Sequence, residues 1–347
     1  MKILQLNIFI RIRNIVSFER VNILLLVVLI TGFSGCQNLG KYDKGESELK
    51  LAYVMAPGGT VHEGALEFAR LVEKNTGGKV KVKIYANGQL GNDRELNESL
   101  ILGSVDMIIT GTSVIGWYAP GYGAIEAPFI FRSYEHMNNV LNGSIGKEIE
   151  SILQKKGIHF LSYWLRGPRY LTTTNLKIKT PEDLRGLKLR VPELPTYIRS
   201  WSVFGANPTP LPYSDMFMAL KQGVVDGQEN PLEVIYTSHI YEAQKYIMET
   251  EHLLGVYIVE IGDQFYTKFS KENQDIIRDA VMKAEVFQNN LMKEYEMKYR
   301  SEIEASGTEF ISVDRKAFES LALKVIPPYF KDIWVPDLFA RIAAVPD

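Results

Sequence analysis

Residues 178–191 read IKTPEDLRGLKLRV and contain the strand from which the fold of this chain can be worked out. Leu187 and Leu189 alternate with polar residues, which predicts a short strand that stops at Pro192. Arg190 then lies at the C-terminal end of this strand, where open α/β sheets place their ligand crevice. Because its guanidinium is a planar fork that matches a carboxylate, we expect it to hold a small organic acid. The alternative role for a buried arginine in a covered sheet is an internal salt bridge.

Residues 223–230 read GVVDGQEN and form the second informative block. Val224 and Val225 predict a short strand that delivers residues 226–230 into a loop. The two blocks together place an arginine, Arg190, and an amide, Asn230, at the points where two predicted strands pass into loops.

The order of the predicted elements indicates an α/β fold. Strands are predicted at 49–54, 80–85 and 105–110, and helices at 65–74 and 92–102. A strand and helix order of this kind favours a parallel sheet with helices on its faces.

A second unit of the same kind begins near residue 158. Thr180 and Pro181 predict a helix start, with threonine as the cap and proline at the first helical position. A further helix is predicted at 196–204, and residues 258–265 suggest that the chain returns to the first sheet. With 347 residues, the chain is long enough for two domains.

The segment 270–305 contains neither proline nor glycine and predicts one long helix. Ser270 is its predicted cap, and apolar residues recur at steps of three and four. A helix of that length spans roughly 50 Å at 1.5 Å per residue, which is wider than one domain. We therefore expect it to bridge two domains; the alternative, a coiled coil, lacks sustained heptads.

The N-terminus resembles an export signal of the lipoprotein type, at residues 1–35. A basic segment precedes the apolar run 23–30, which is about half as long as a membrane-spanning helix requires. Ser34 and Gly35 stand directly before Cys36, the only cysteine, as in a bacterial lipobox. We therefore predict lipidation of Cys36, which anchors the chain to a membrane, and a flexible tether at 36–48. A buried cysteine without such a role is the alternative.

Charge and motifs exclude several classes of function. The net charge is -2, and the first 35 residues carry four basic and one acidic residue, so the remainder is acidic. An acidic body without a basic stripe argues against nucleic acid as a partner. Walker A and GxGxxG loops are absent, and the five histidines are scattered, so neither a cofactor nor a metal site is predicted.

Two further groups of residues are candidates for ligand contact. Arg166 and Arg169 lie where the second domain begins, and such crossover segments line interdomain clefts. Tyr213 precedes Ser214, the predicted cap of a helix at 215–222. A ring at that position can stack on a bound sugar or acid, while helix N-terminal amides favour negative charge.

The chain resembles the DctP-type solute-binding proteins of tripartite ATP-independent periplasmic (TRAP) transporters. The resemblance rests on the blocks GQLG at 88–91, APF at 127–129, TPEDLRGLKLRVP at 180–192 and DGQENP at 226–231. It implies a two-domain periplasmic-binding-protein fold with an interdomain ligand cleft and a long helix bridging both domains. We accordingly expect domain I at 49–166 plus about 255–290, and domain II at 167–254 plus about 291–347.

The resemblance also assigns roles to individual residues. It implies that Arg190 pairs with the ligand carboxylate, that Arg169 assists it, that Asn230 supplies an amide and that Tyr213 is the stacking aromatic. The chain is then an extracytoplasmic receptor, in the periplasm or at the cell surface. It is expected to be a monomer and to deliver its solute to TRAP membrane permease subunits.

The identity of the ligand is less constrained by the sequence. Residues 53–56 and 109–112 lack the asparagine and the glutamate of sialic-acid binders, whereas residues 164–169, WLRGPR, resemble hexuronate and sugar-acid binders. His62 and Glu63 are candidates for contact with sugar hydroxyls. The expected order is a hexuronate, then an aldonate, then a C4-dicarboxylate. A sensory receptor for an organic acid and a sugar-acid-modifying enzyme are the alternatives.

Overall fold

The computed structural model describes residues 47–347. The predicted export signal at 1–35 and the lipidation site Cys36 lie outside the described residues. The predicted tether reaches into them by two residues, and there the prediction is wrong. Ser47 and Glu48 belong to the first strand, because they pair in parallel with Val80 and Lys81.

The described residues form eleven strands: β1, Ser47–Ala52; β2, Val80–Tyr85; β3, Met107–Thr110; β4, Ile158–Arg166; β5, Arg169–Thr173; β6, Lys188–Val191; β7, Asn207–Pro210; β8, Gly227–Pro231; β9, Tyr246–Met248; β10, Gly255–Gly262; and β11, Glu309–Ile311.

They also form twelve α-helices: α1, Thr60–Asn75; α2, Asp93–Leu102; α3, Ser113–Tyr118; α4, Tyr134–Leu141; α5, Ser144–Gln154; α6, Pro195–Val203; α7, Met216–Lys221; α8, Leu232–Thr237; α9, Asp263–Tyr266; α10, Lys271–Ala305; α11, Arg315–Tyr329; and α12, Leu338–Ala343. Short 3₁₀ helices occupy Pro120–Glu126, Pro181–Leu184, Tyr213–Asp215 and Ile240–Glu242. None of the helices in this described part is long and apolar enough to span a membrane.

The first sheet has five strands in the order β2-β1-β3-β10-β4. β1 runs parallel to β2 and β3, whereas β10 runs antiparallel to both β3 and β4. The predicted return of the chain to this sheet is confirmed, although the sheet is mixed and not wholly parallel. β10 lies between β3 and β4, which precede it in the chain, and it runs in the opposite direction to both.

The second sheet has six strands in the order β11-β9-β5-β8-β6-β7. Only Gly167 and Pro168 separate β4 of the first sheet from β5 of the second. The last residue of β4, Arg166, and the first residue of β5, Arg169, therefore lie at the junction of the two sheets.

The long helix is confirmed as α10, which has 35 residues. It begins after Ser270, whose side chain accepts a hydrogen bond from the amide of Asn273 at 3.2 Å. The helix packs on β4 of the first sheet and on α1, which connects β1 and β2 of that sheet. It also packs on α8, which directly follows β8 of the second sheet. A single rigid element thus contacts both halves of the described chain.

A group of hydrogen bonds joins α1, α8 and α10. Glu233 on α8 accepts from both the backbone amide and the hydroxyl of Thr60, the first residue of α1. Gln288 on α10 donates to the same hydroxyl at 2.9 Å and to the carbonyl of Leu165 at 3.0 Å. Gly59 is required beside this group, since a Cβ there would lie 2.6 Å from the Glu233 carboxylate.

Two predicted elements differ in the structure. The helix expected to begin at Thr180 is a four-residue 3₁₀ helix, because β6 follows it after only three residues. The strand expected at Val224 and Val225 begins three residues later, as β8, because residues 227–231 pair with β5. Asn230 is therefore held inside a sheet and not in a loop.

The C-terminal residues contact the first half of the chain, although the sequence assigned 291–347 to domain II. Arg132, just before α4, donates to the carbonyls of Ala343 and Val345 at 3.0 and 2.9 Å. His136 on α4 hydrogen-bonds the carbonyl of Ile342 at 2.9 Å. The acceptors in these contacts are backbone carbonyls at the end of α12, which every residue type has. The pattern of residues therefore could not have predicted the contacts.

Candidate functional site

A cavity lies between the two sheets and is lined by residues from both. Its lining is rich in charged and aromatic side chains: Asp93, Arg94, Glu126, Arg166, Arg169, Arg190, Glu193, Trp117, Tyr197, Tyr213 and Tyr257. Arg190, Arg169, Asn230 and Tyr213, four of the residues predicted from the sequence, are all in this lining. The mixture of cations with hydroxyl, amide and carboxyl groups suits a small polar anion.

Arg190 is a buried cation of the cavity that has no carboxylate partner among residues 47–347. It comes from β6, where Leu189 and Val191 are fully buried, and is itself only 3% exposed. Its guanidinium donates to the carbonyl of Leu211 at 3.0 Å from Nε and 2.6 Å from Nη2. No ion pair within residues 47–347 includes it. The remaining N–H groups are therefore available to an anion in the cavity.

Burial determines the electrostatics of Arg190. Loss of solvent lowers the pKa of Arg190 to about 10, and the nearby charge of Glu229 offsets only part of this shift. The group stays protonated at neutral pH but lacks a close counter-ion. An arriving carboxylate would supply one.

Arg169 lines the same cavity but is engaged with Glu229 on β8. Its Nε and Nη2 both contact the Glu229 carboxylate, the second at 2.8 Å, and Nη2 also donates to the Glu229 carbonyl at 2.6 Å. His252 contacts the same carboxylate at 3.1 Å. The internal salt bridge considered as the alternative role of Arg190 is not made by Arg190 in the described chain; Arg169 makes one instead, with Glu229. It leaves Arg169 fewer free donors for a ligand than Arg190 has.

Asn230 is fixed by its neighbours. Its amide nitrogen donates to Gln228 at 2.6 Å, and its amide oxygen accepts from Nη2 of Arg166 at 3.2 Å. Arg166 also stacks on the ring of Tyr257, 4.9 Å from its centroid, while its Nε is buried without a partner among the described residues. The amide and the arginine are oriented before any ligand arrives.

Tyr213 is half-buried at the cavity wall, with its hydroxyl 2.6 Å from that of Ser238. The hydrogen bond holds the ring in place, so its face can pack on a ligand. Ser214 does not cap a helix as predicted; its hydroxyl donates instead to Asp215 at 3.0 Å. The helix α7 starts only at Met216, after a 3₁₀ turn.

His62 and Glu63, predicted to contact sugar hydroxyls, are not in the lining of this cavity. Helix α1 begins at Thr60, five residues earlier than predicted, so both residues occupy its first turn. His62 contacts the hydroxyl of Tyr53 at 2.7 Å, and neither residue is part of the cavity lining. The N-terminal end of α1 contacts Glu233 instead.

Several lining residues were not identified from the sequence. Glu126, Trp117 and Tyr257 each present a buried polar atom that has no hydrogen-bond partner among the described residues. Burial also raises the pKa of Asp93, against the opposing charges of Arg166 and Arg190. The one available signal was Glu126 itself, a single acidic residue within the apolar run 124–131.

The chain matches known proteins over most of its length. The sequence profile of the DctP family, bacterial extracellular solute-binding protein family 7, matches residues 51–332. A solute-binding protein of Roseobacter denitrificans is 35% identical over 278 residues, which cover 80% of this chain and 85% of the relative.

Solved structures of TRAP periplasmic solute-binding proteins are also similar. One from Roseobacter denitrificans with bound L-galactonate has a TM-score of 0.80 and 32% identity, covering 87% of this chain and 99% of that one. One from a Bradyrhizobium species in complex with galacturonate has a TM-score of 0.80 and 31% identity, covering 85% and 99%. One from Sulfurospirillum deleyianum with bound succinate has a TM-score of 0.83 and 30% identity, covering 87% and 100%.

Proposed function

This chain belongs to the DctP family, bacterial extracellular solute-binding protein family 7, and we propose that its cavity captures a sugar acid, a hexuronate in the first place. It is a TRAP solute-binding protein, and its family consists of extracytoplasmic binding proteins. Capture of the solute, followed by delivery to membrane permease subunits, is then the whole of its role.

The observation that carries the proposal is the buried Arg190 without a carboxylate partner. A guanidinium removed from water is stabilised by an anion that reaches it, and a bidentate carboxylate provides the best geometry. In the low dielectric of the cavity this attraction is stronger than in bulk water. We assign the carboxylate of the sugar acid to Arg190.

The remainder of the lining supports a ligand that also carries hydroxyl groups. Asn230 and Asp93 offer amide and carboxyl groups, and Tyr257 offers a buried hydroxyl that lacks a partner in the described chain. The ring of Tyr213 provides an apolar face of the kind that packs on sugar C–H groups. The relatives with L-galactonate and galacturonate bound support the same class.

A C4-dicarboxylate is the second candidate. Arg166 faces the cavity with an unpartnered Nε and could hold a second carboxylate, and the relative from Sulfurospirillum deleyianum binds succinate. The acidic groups Asp93 and Glu193 in the lining count against a second negative charge.

Calorimetric titration of the purified chain with D-galacturonate, D-glucuronate, L-galactonate and succinate separates these candidates. We expect the two hexuronates to bind most tightly and succinate to bind at least about tenfold more weakly, since a buried polar group without its ligand partner is costly. A thermal shift with the same compounds provides an independent readout, because a ligand at about 100 times its Kd stabilises the folded state by roughly 2.7 kcal/mol. Tighter binding of succinate would overturn the sugar-acid assignment.

We also propose that the chain is a monomer anchored to the membrane through lipidated Cys36. The protein expressed with its own N-terminus should partition into the membrane fraction, and the Cys36→Ser variant should be released or retained as an unprocessed precursor. Mass spectrometry of the mature N-terminus measures the lipid directly. A non-acylated Cys36 in a chain that is otherwise processed would contradict the anchor.

A further inference from the structure

We propose that Glu126 takes part in ligand binding as a protonated acid, donating a hydrogen bond from its carboxyl group to a ligand oxygen, so that binding is coupled to proton uptake. This inference rests on the proposed function in one respect, namely that the cavity receives an anion. It adds a residue that selects the ligand and a dependence on pH.

The geometry places the Glu126 carboxyl group in the cavity with nothing to pair it. Glu126 is the last residue of the 3₁₀ helix Pro120–Glu126, is 2% exposed and lines the cavity. Neither carboxyl oxygen makes a hydrogen bond of normal geometry among residues 47–347, and the Thr112 hydroxyl is the neighbouring donor. Gly116 makes this position possible, because a Cβ at Gly116 would lie 2.9 Å from Oε2 of Glu126. An unpaired buried carboxyl group calls for an explanation, and the position of Glu126 in the cavity lining points to a ligand as its partner.

The surroundings favour the neutral form of the acid. Burial raises the pKa of Glu126 to about 8, while the Thr112 hydroxyl and the charge of Arg169 oppose the shift only partly. Arg169 cannot compensate fully, since its guanidinium is paired with Glu229. At neutral pH the residue therefore carries a proton that it can donate.

Two titratable groups from other elements face Glu126: Arg169 from β5 and Tyr197 from α6. Burial by itself would lower the pKa of Arg169, but the charge of Glu229 outweighs this effect. The pKa of Arg169 is therefore raised above its usual value. Burial also raises the pKa of Tyr197. Neither of these two groups changes its charge between pH 6.5 and 9. Asp93 on α2 lines the same cavity and burial raises its pKa as well, so the coupling is assigned to Glu126 by the Glu126→Gln variant and not by the pH dependence alone.

The sign of the coupling follows from the charge of the ligand. An anion at Arg190 adds a negative charge to the cavity, which disfavours the ionised form of Glu126 and raises its pKa in the complex. Affinity is then greatest below the pKa of the free protein and falls as the pH rises through it. If the ionised form does not bind, affinity falls about tenfold between pH 7 and pH 9.

Calorimetric titration with D-galacturonate at pH 6.5–9, in pairs of buffers that differ in ionisation enthalpy, tests this coupling. We expect uptake of a fraction of a proton at pH 7 that approaches one proton at pH 9. Glu126→Gln keeps an N–H donor but cannot ionise, so its affinity should no longer depend on pH in this range. Glu126→Leu, which has no donor, should bind more weakly than Glu126→Gln at pH 7.

Glu260 provides a matched control. It is fully buried on β10, both of its carboxyl oxygens lack partners in the described chain, and burial raises its pKa to about 8 as well. It does not line the cavity. Glu260→Gln should therefore shift the pH dependence of unfolding while leaving the pH dependence of binding as in the unmodified protein.

Binding without proton uptake, or a Glu126→Gln variant with the pH profile of the unmodified protein, would overturn the inference. The titration is run with whichever acid of the panel binds. If that acid is succinate, the sugar-acid assignment fails while the proton coupling is still measured. If none of the acids binds at any pH, both proposals fail.

Discussion

Replacing Arg190 with alanine is expected to weaken binding of the sugar acid by about 2–5 kcal/mol, or roughly 30- to 5,000-fold in Kd. The reason is that the ligand carboxylate would remain buried without its counter-ion, and the cost of an unpaired buried charge exceeds the value of the pair itself. Calorimetry with D-galacturonate at pH 7 measures the loss. Arg190→Lys should retain part of the affinity, because it keeps a positive charge but not the bidentate fork.

The control for this prediction is Arg70→Ala. Arg70 is an exposed arginine on α1 whose only described ion pair is with Glu67, and it is not part of the cavity lining. We expect the Arg70→Ala variant to bind D-galacturonate with the same Kd as the unmodified protein. An Arg190→Ala variant that folds normally and binds with unchanged affinity would refute the assignment of the carboxylate to Arg190.

Replacing Glu229 with alanine is expected to destabilise the fold by about 3–5 kcal/mol, because it leaves Arg169 charged, buried and unpaired. The side chain of Glu229 is fully buried and that of Arg169 is 3% exposed, so water cannot replace the lost partner. Urea unfolding measures the change, and the double variant Arg169→Met with Glu229→Leu should recover much of the loss. In contrast, Asp279→Ala breaks an exposed pair with Lys283 and should cost less than about 1 kcal/mol.

The same ion pair predicts a loss of stability in acid. Burial by itself would raise the pKa of Glu229, but Arg169 and His252 together lower it to about 2. Because the folded-state pKa lies below the unfolded value of about 4.3, the stabilisation is present above that value and is lost as the pH falls toward 2. The Glu229→Ala variant should lack this component of the pH dependence. An identical acid limb in both proteins would contradict the role given to the pair.

The sequence predicted those features that depend on local patterns. The cap and unbroken periodicity of α10 are local patterns, as is the alternation of Leu187 and Leu189 at the start of β6, and the structure confirms both elements. Arg190 belongs to the same class, because its position before Pro192 depends only on the strand that carries it.

Features that depend on distant partners could not be derived in this way. Arg169 and Glu229 are 60 positions apart, and only the pairing of β5 with β8 reveals that they form an ion pair. Asn230 was placed in a loop for the same reason. The start of α1 could not be located from the sequence either, because Glu233, far along the chain, hydrogen-bonds its first residue.

The hydrogen bonds among Thr60, Glu233 and Gln288 have a consequence for the lifetime of the filled state. They tie α1 to α8 and α10, so a motion that moves α1 away from either of these helices has to break them. None of these three side chains lines the cavity. We therefore expect the dwell time of a captured molecule to depend in part on side chains that do not contact it. Substitutions at these positions could lengthen or shorten residence while leaving the choice of solute unaltered.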